Sequence, residues 1–535
     1  MEEQFENLSQ WLLYGGIDFD YLSEAMLPEL CVAGGNPLQV GECSYDAVIV
    51  PPLLTMREST LTRLEAFRQA GGKLIFLDNA PSLLDGKPSL LPAALSETAL
   101  RIPMERYALL DALEAQREIE LRNQATGRLA DNLFYQLRQD GDTRTLFICH
   151  VRDEVPARPR TYRVKLRGLW RLTRMDAMSG DCHDLGGTQA DGFTTFLWSC
   201  NAQDSLLLRL LPGECAAPTP PPALKQVWRT LREPSSFALD EPNALLLDQC
   251  EYALDGEAWQ AAGHILRADN AMRLKAGLPI RNGDQVQPWL IPAEKAAHTA
   301  HLRYRFYSEV DAERLLLAVE QPENADIRLN GRVVDTTPVG WYVDEDIKTV
   351  QLPPVQKGEN ILTMDVPLTR RTNLEWLYLL GSFGVKVAGQ RLTLTQAPSS
   401  LVLDDLTRQG LPFYTGSVTY CFPLDCSETH EHVSLHIPHM AAPVASVLLD
   451  DEEIGCIAWQ PNTIDLPPLS AGTHLLKVVA YGNRYNGFGT LHNANPNYKW
   501  YGPESYRTTG DEWTDCYLTR PAGILSPMEL MEERS

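Results

Sequence analysis

Gln409-Gly410-Leu411-Pro412-Phe413-Tyr414-Thr415-Gly416-Ser417-Val418-Thr419-Tyr420 opens the stretch on which the reading of this chain turns. The stretch runs from Gln409 to Gly523. It closes with Gly487-Phe488-Gly489-Thr490-Leu491-His492-Asn493 and then Asp511-Glu512-Trp513-Thr514-Asp515-Cys516-Tyr517. Between the two ends lie short alternating runs broken by Gly, Pro, Asn and Asp, a pattern that predicts a β-sandwich rather than helices. Its loops carry Trp, Tyr, His, Asn and Asp. An aromatic face packs on the apolar C–H face of a pyranose, and amides and carboxylates bind its hydroxyls.

Immediately upstream the same logic appears once more. Asn243-Ala244-Leu245-Leu246-Leu247-Asp248 starts a new unit, and His264 to Leu274 reads as a helix. Ile327-Arg328-Leu329-Asn330-Gly331-Arg332 is a strand running into an Asn-Gly turn, the strongest short-range hairpin signal. Lys357-Gly358-Glu359-Asn360-Ile361-Leu362 is a Gly-bearing turn into another strand. Val444 to Gly455 matches the first of these hairpins, and Ser470 to Val478 matches the second turn. Two related jelly rolls are therefore expected, over 243–395 and 396–535.

Further out, Ala216-Ala217-Pro218-Thr219-Pro220-Pro221-Pro222 marks a Pro-rich linker, placed at 216–242, because its prolines favour extended geometry. Before it, strands recur about every ten residues with turn signals between them, which predicts a small β-sandwich over 106–215. Residues 1–105 differ. Val48 to Val50 form a short apolar run ended by Pro51-Pro52; Leu61, Leu64 and Phe67 mark one helix face; Lys73 to Asp78 is a second buried strand. Strand, helix, strand at this spacing is a right-handed βαβ unit.

At 535 residues the chain exceeds one core, since single cores stop growing at roughly 250–300 residues. The expected class is multidomain and mainly β. A formal charge of −23, from 47 basic and 70 acidic residues, argues against nucleic acid and anionic membranes as partners. The eleven cysteines are scattered and contain no Cys-x-x-Cys pair, which fits a reducing compartment. The amino terminus lacks the basic and apolar regions of a signal peptide, so the expected localisation is cytoplasmic.

Several motifs carry a resemblance. Gln409 to Tyr420, the strand end Ile457-Ala458-Trp459-Gln460-Pro461, the loop Gly489 to His492, and a tail of Trp513, Asp515, Tyr517, Leu518, Pro521, Gly523 and Leu525 resemble the galactose-binding-like jelly roll of large bacterial glycoside hydrolases. The types are family 2 and the α-L-rhamnosidases. Residues 1–105 resemble the flavodoxin-like, amidotransferase-like domain beside the barrel of β-galactosidase-type hydrolases. That domain would need a nucleophile after a strand, whereas Cys31 and Cys43 precede the first clear strand here, so packing or oligomerisation is its expected duty. On the resemblance, the chain matches the part of these enzymes after the catalytic (β/α)8 barrel, and no eight βα repeats are legible.

The resemblance implies a carbohydrate-binding accessory part of a glycoside hydrolase. The partners it implies are a glycan or glycoside and a separate catalytic barrel chain. The alternatives are a purely structural or homo-oligomerising β-sandwich protein and a self-sufficient hydrolase. The residues expected to contact sugar are Trp341, Tyr342, Tyr414, Asn486, His492, Asn493, Trp500 and Trp513. The competing role of Trp341 and Trp513 is to rim the core, and that of His492 is to satisfy a loop carbonyl. Asp344 and Asp346 either form a solvated turn or feed a structural Ca²⁺, which takes six to eight oxygens.

Overall fold

The computed structural model describes residues 2–151, 159–177, 179–218, 225–281, 287–495 and 510–533. It is mainly β and divides into two compact units, residues 1–222 and 223–535. Thr219 to Leu224 of the predicted linker lie outside the described residues. Among the described residues no helix is long and apolar enough to cross a membrane.

In the first unit, helix α1 (Glu2–Gly15) precedes the expected βαβ element. Strand β1 (Ala47–Val50), helix α2 (Glu58–Gln69) and strand β2 (Lys73–Leu77) form it, with Ala47 opposite Lys73 in a parallel ladder. A third parallel strand, β3 (Leu100–Ile102), pairs with β2. The apolar residues of β2 alternate between two cores. Leu74 and Phe76 face Leu61, Leu64 and Phe67 of α2, while Ile75 and Leu77 face Leu8 and Leu12 of α1. A strand apolar on both faces is what a sheet covered on both sides requires.

The α/β body does not stop at residue 105. Helix α3 (Arg106–Ala112) packs Leu109 and Leu110 into the α1 side of that core, because its i, i+1 apolar pair has no other face to bury.

A sandwich follows in the same unit. Its strands are β4 (Ile119–Asn123), β5 (Leu133–Asp140), β6 (Thr143–His150), β7 (Arg160–Arg167), β8 (Trp170–Met175), β9 (Cys182–Leu185), β10 (Thr188–Ala190), β11 (Phe193–Cys200) and β12 (Ser205–Pro212). They form two sheets, ordered β5-β6-β12-β8-β9 and β10-β11-β7-β4. Inward residues such as Leu146, Ile148, Val164, Phe196 and Leu208 alternate with exposed ones and fill the core.

The second unit holds two more sandwiches. Its strands in chain order are β13 (Lys225–Leu231), β14 (Ser236–Leu239), β15 (Asn243–Leu247), β16 (Gln249–Leu254) and β17 (Gln260–His264), followed by helix α4 (Ile265–Lys275). Next come β18 (His298–Ser308), β19 (Leu316–Glu320), β20 (Asp326–Leu329), β21 (Arg332–Val333), β22 (Gly340–Tyr342), β23 (Asp344–Gln351), β24 (Gly358–Leu368), β25 (Leu377–Gly381), β26 (Gly384–Ala388) and β27 (Arg391–Thr395). The last set is β28 (Val418–Cys426), β29 (Val433–His436), β30 (Ala445–Leu449), β31 (Glu452–Ile457), β32 (Thr463–Asp465), β33 (Gly472–Ala480) and β34 (Met528–Glu533).

The inner sandwich pairs a sheet β15-β25-β19-β23-β22 with a sheet whose main path is β17-β16-β18-β24-β20-β21. The outer sandwich pairs β13-β34-β29-β32 with β14-β28-β33-β30-β31. The two follow one plan. The order β16-β18-β24-β20-β21 repeats as β14-β28-β33-β30-β31, and β15-β25-β19-β23 repeats as β13-β34-β29-β32.

The repetition extends to single hydrogen bonds. Asn330 and Asp450 both open a two-residue turn at φ 53° and 52°. Each accepts on its side chain the amide of the adjacent strand, Ile361 at 2.9 Å and Leu475 at 2.7 Å. Each donates its own amide back to that residue's carbonyl, at 2.8 and 2.9 Å. A sequence signal for this equivalence exists that the strand pattern alone did not expose: Thr349-Val350-Gln351-Leu352-Pro353-Pro354-Val355 against Thr463-Ile464-Asp465-Leu466-Pro467-Pro468-Leu469.

The expected linker over 216–242 is corrected by this topology. Lys225–Leu231 pairs with Met528–Glu533, and Ser236–Leu239 pairs with Val418 to Cys421. The outer sandwich is thus discontinuous in sequence, with the inner sandwich inserted between its second and third strands. Sheet edges must be paired or covered, and these early strands are the partners that complete the late ones.

Candidate functional site

Phe413, Tyr485, Phe488, Leu491 and Tyr517, from the two ends of the stretch 409–523, lie where the two sandwiches of the second unit meet. The loop after β33 crosses onto the inner sandwich and buries Leu491 and Tyr517 in its core, together with Phe413 from the segment before β28. Fully burying a side chain of this size contributes roughly 1.5–3 kcal/mol. Backbone polar groups are satisfied across the same contact. Asn243 Nδ2 donates to the carbonyls of Phe383 (2.7 Å) and Gly410 (3.0 Å). The Tyr378 hydroxyl donates to the Gly487 carbonyl at 3.0 Å, and Gln249 Nε2 to the Asp515 carbonyl at 2.9 Å. Arg484, at φ 62°, pairs through both terminal nitrogens with Glu241.

Asp248 is the centre of this contact. It ends the fully buried strand β15, and β16 follows it directly. Tyr517 Oη donates to its Oδ1 at 2.7 Å, and His492 Nε2 lies 2.9 Å from its Oδ2. His492 Nδ1 faces the Thr514 carbonyl at 2.9 Å. Both ring nitrogens of His492 therefore face acceptors, which favours the doubly protonated imidazolium. Burial alone would lower the His492 pKa, but its hydrogen bond to Asp248 and the charge there outweigh burial and raise it. Burial alone would raise Asp248; the His492 hydrogen bond and charge, with His264 and Tyr517, hold it below the usual carboxylate range. Burial, then the Asp248 charge, pushes the Tyr517 hydroxyl far up.

His264 completes the group. It caps α4, its Nδ1 accepting the Leu266 amide at 3.3 Å, and its Nε2 stands 3.9 Å from Asp248 Oδ2. Burial drives its pKa down to about 4. The Trp513 ring lies 4.7 Å from the His492 ring and 5.3 Å from the His264 ring, and Trp376 meets His264 edge-on at 6.1 Å. Between these rings is a cavity of about 10 Å³, lined by Asp248, His264, Trp376, Thr490, Asn493 and Trp513 among others. That is room for roughly one water. Asp248, His264 and His492 each offer one metal-ligand atom to this spot.

The predicted sugar contacts fall into separate places. His492, Asn493 and Trp513 gather at this cavity. Tyr414 and Asn486 line a neighbouring one of about 20 Å³. Tyr414 is buried against Asp240, 2.8 Å from its hydroxyl, and Asn486 spends its amide on the backbone of Arg520. Neither cavity has room for a pyranose. Tyr342 is buried beside Tyr378 and Phe488. Tyr342, Tyr414, Asn486 and His492 are thus buried, whereas Asn493 and Trp513 are half-buried at the cavity. Trp341, next to Tyr342 on the edge strand β22, is 57% exposed. Asp344 and Asp346 are exposed, Asp344 Oδ1 accepting the Asp346 amide at 2.9 Å. Trp500 lies outside the described residues. Asp248, His264 and Tyr517 were not among the expected site residues; the signal for Asp248 was a carboxylate directly after the buried apolar run Ala244 to Leu247.

No family model matches the chain, and no curated protein sequence matches it. Solved structures do resemble it. A rhamnosidase from Novosphingobium sp. PP1Y aligns with 96% of this chain and 36% of its own length, at 12% identity and a TM-score of 0.46. An apo exo-carrageenase GH42 from Bacteroides ovatus aligns with 39% of this chain and 27% of its own, at 12% identity and a TM-score of 0.27. An alpha-L-fucosidase isoenzyme 2 from Paenibacillus thiaminolyticus aligns with 39% of this chain and 45% of its own, at 11% identity and a TM-score of 0.27. The chain thus spans little more than a third of the rhamnosidase it aligns with along nearly its whole length.

Proposed function

We propose that this chain is a carbohydrate-binding, non-catalytic part of a glycoside-degrading system. The observation that carries the reading is a paired exposure. In each sandwich of the second unit, the connection between the repeated hairpin and the strand that leads into Leu-Pro-Pro holds one solvent-facing tryptophan. These are Trp341, 57% exposed, and Trp459, 54% exposed. A large apolar ring left in water twice, at corresponding places of one repeated plan, suits stacking on a neutral sugar ring. The acidic surface accepts such a ligand without electrostatic cost. The resemblance of the motifs to post-barrel jelly rolls of glycoside hydrolases agrees with this reading.

The test is quenching of tryptophan fluorescence by a panel of glycans, repeated with Trp341→Ala, Trp459→Ala and the double variant. Binding should weaken in each single variant and vanish in the double. Binding retained by the double variant refutes the assignment. Hydrolysis of aryl-glycosides by the pure chain, abolished by one carboxylate substitution, would replace it with a catalytic role.

A second reading, a purely structural part, draws on the burial of Tyr342, Tyr414, Asn486 and His492 in the contact between sandwiches. Absence of any glycan binding by the wild-type chain would favour it.

A further inference from the structure

We propose that Asp248, His264 and His492 bind one divalent transition-metal cation of the Zn²⁺ class at the contact between the two sandwiches of the second unit. The donors are a carboxylate and two imidazoles, the oxygen and nitrogen set such ions take. One ligand atom from each residue lies within 4.8 Å of the other two. A tetrahedral site with bonds near 2 Å spaces its ligand atoms at about 3.3 Å. The distances from Asp248 Oδ2, 2.9 Å to His492 Nε2 and 3.9 Å to His264 Nε2, bracket that spacing. Closing the set requires the His264 ring to move toward Asp248 Oδ2 and the His492 ring to move away from it.

Around His492 and Asp248 the surrounding partners are those a metal ligand needs. Histidine ligands generally give their second N–H to a carbonyl or carboxylate, which fixes the ring and leaves the other nitrogen for the ion. His492 Nδ1 faces the Thr514 carbonyl in that way, with Nε2 turned to the site. The second Asp248 oxygen is held by the Tyr517 hydroxyl at 2.7 Å. The three ligands leave a fourth position beside the cavity bounded by Trp376 and Trp513, which has room for one water.

Loading changes two hydrogen bonds. His492 Nε2 gives up the proton it directs at Asp248, and one proton leaves per ion bound. The His264 proton moves to Nδ1, and the long 3.3 Å contact from the Leu266 amide is lost. The bound ion ties together the end of β15, the start of α4 and the loop after β33. It is independent of the glycan reading, since neither exposed tryptophan takes part.

The experiment is titration of the chelator-stripped full chain with Co²⁺, followed by the visible d–d spectrum. The expected result is a tetrahedral-type spectrum that saturates at one equivalent and is displaced by Zn²⁺. One equivalent of Zn²⁺ should also raise the thermal midpoint. His264→Gln retains an acceptor for the helix cap and should abolish the spectrum, with near-ultraviolet circular dichroism checking that the fold survives. Tyr517→Phe keeps all three ligands and should weaken affinity roughly 10–100-fold. No saturable spectrum at one equivalent in the wild type, or the same spectrum in His264→Gln, overturns the proposal.

Discussion

The coupling between Asp248 and His492 gives the sharpest test of how the second unit is held together. Both side chains are almost fully buried, Asp248 at 1% and His492 at 4% exposure, and their charged atoms meet at 2.9 Å. Breaking a buried pair by removing one partner typically costs about 3–5 kcal/mol, because the survivor is left desolvated without compensation. Asp248→Asn is the informative change. Its amide oxygen can still accept from Tyr517, so the loss reports the charge rather than the hydroxyl contact. The expected destabilisation is about 3 kcal/mol, and His492→Gln should cost a similar amount. The double variant should cost little more than either alone, giving a coupling of about 2–3 kcal/mol.

The assay is guanidinium unfolding of the full chain in chelator. It is followed by fluorescence, since the Trp513 ring lies 4.7 Å from the His492 ring and senses the contact. The two units need not unfold together, so the transition that moves with Asp248→Asn is the one to analyse. Additivity of the two single variants to within about 0.5 kcal/mol would refute a coupled pair at this contact.

Acidification should act through His264. Its pKa is held near 4 by burial, against about 6.5 in the unfolded chain. Between these values the unfolded state takes up a proton that the folded state refuses, so stability falls as pH drops from about 6.5 to about 4. The full loss is roughly 3 kcal/mol. Asp248 and His492 keep their charges across that window, so His264→Gln in chelator should flatten the slope, and an unchanged slope would remove His264 as its cause. Gly482→Ala would place a Cβ 1.9 Å from the Thr415 carbonyl oxygen. Backbone must move to admit it, at a cost of about 1–3 kcal/mol; a thermal midpoint equal to wild type would contradict the packing described. Asn330→Ala and Asp450→Ala each remove the side-chain acceptor of an adjacent strand amide and leave a left-handed turn residue without its usual side chain. Each should cost about 1–2 kcal/mol, and a large cost at one with none at the other would undo the equivalence of the two sandwiches.

Turn chemistry and periodicity act over a few residues, and those features were legible. The βαβ element was written in two apolar runs and a helix face, and appears as β1, α2 and β2 with the expected parallel ladder. The Asn330-Gly331 turn and its counterpart at Asp450-Asp451 were legible because a left-handed pair of residues demands particular side chains. The alternation that marks sandwich strands was also legible, and so was the doubling of one plan across 243–395 and the segment after it.

Tertiary structure decided what those strands and loops are for. Lys225–Leu231 and Ser236–Leu239 look like linker because nothing local says which sheet will accept them; their partners are Met528–Glu533 and Val418 to Cys421, both beyond the whole inner sandwich. The aromatic and amide loops around Tyr414, Asn486 and His492 have the composition of a sugar site, but burial depends on what covers a loop: Tyr414 packs in the core of the outer sandwich, and the loop of His492 docks on the inner one. Asp248 and His492 are 244 residues apart. Sequence alone determined the elements, because each is set by neighbours a few residues away. Only the folded chain decided that a carboxylate, two imidazoles and a phenol would share one buried cluster, because a contact of that span depends on the docking of two complete sandwiches.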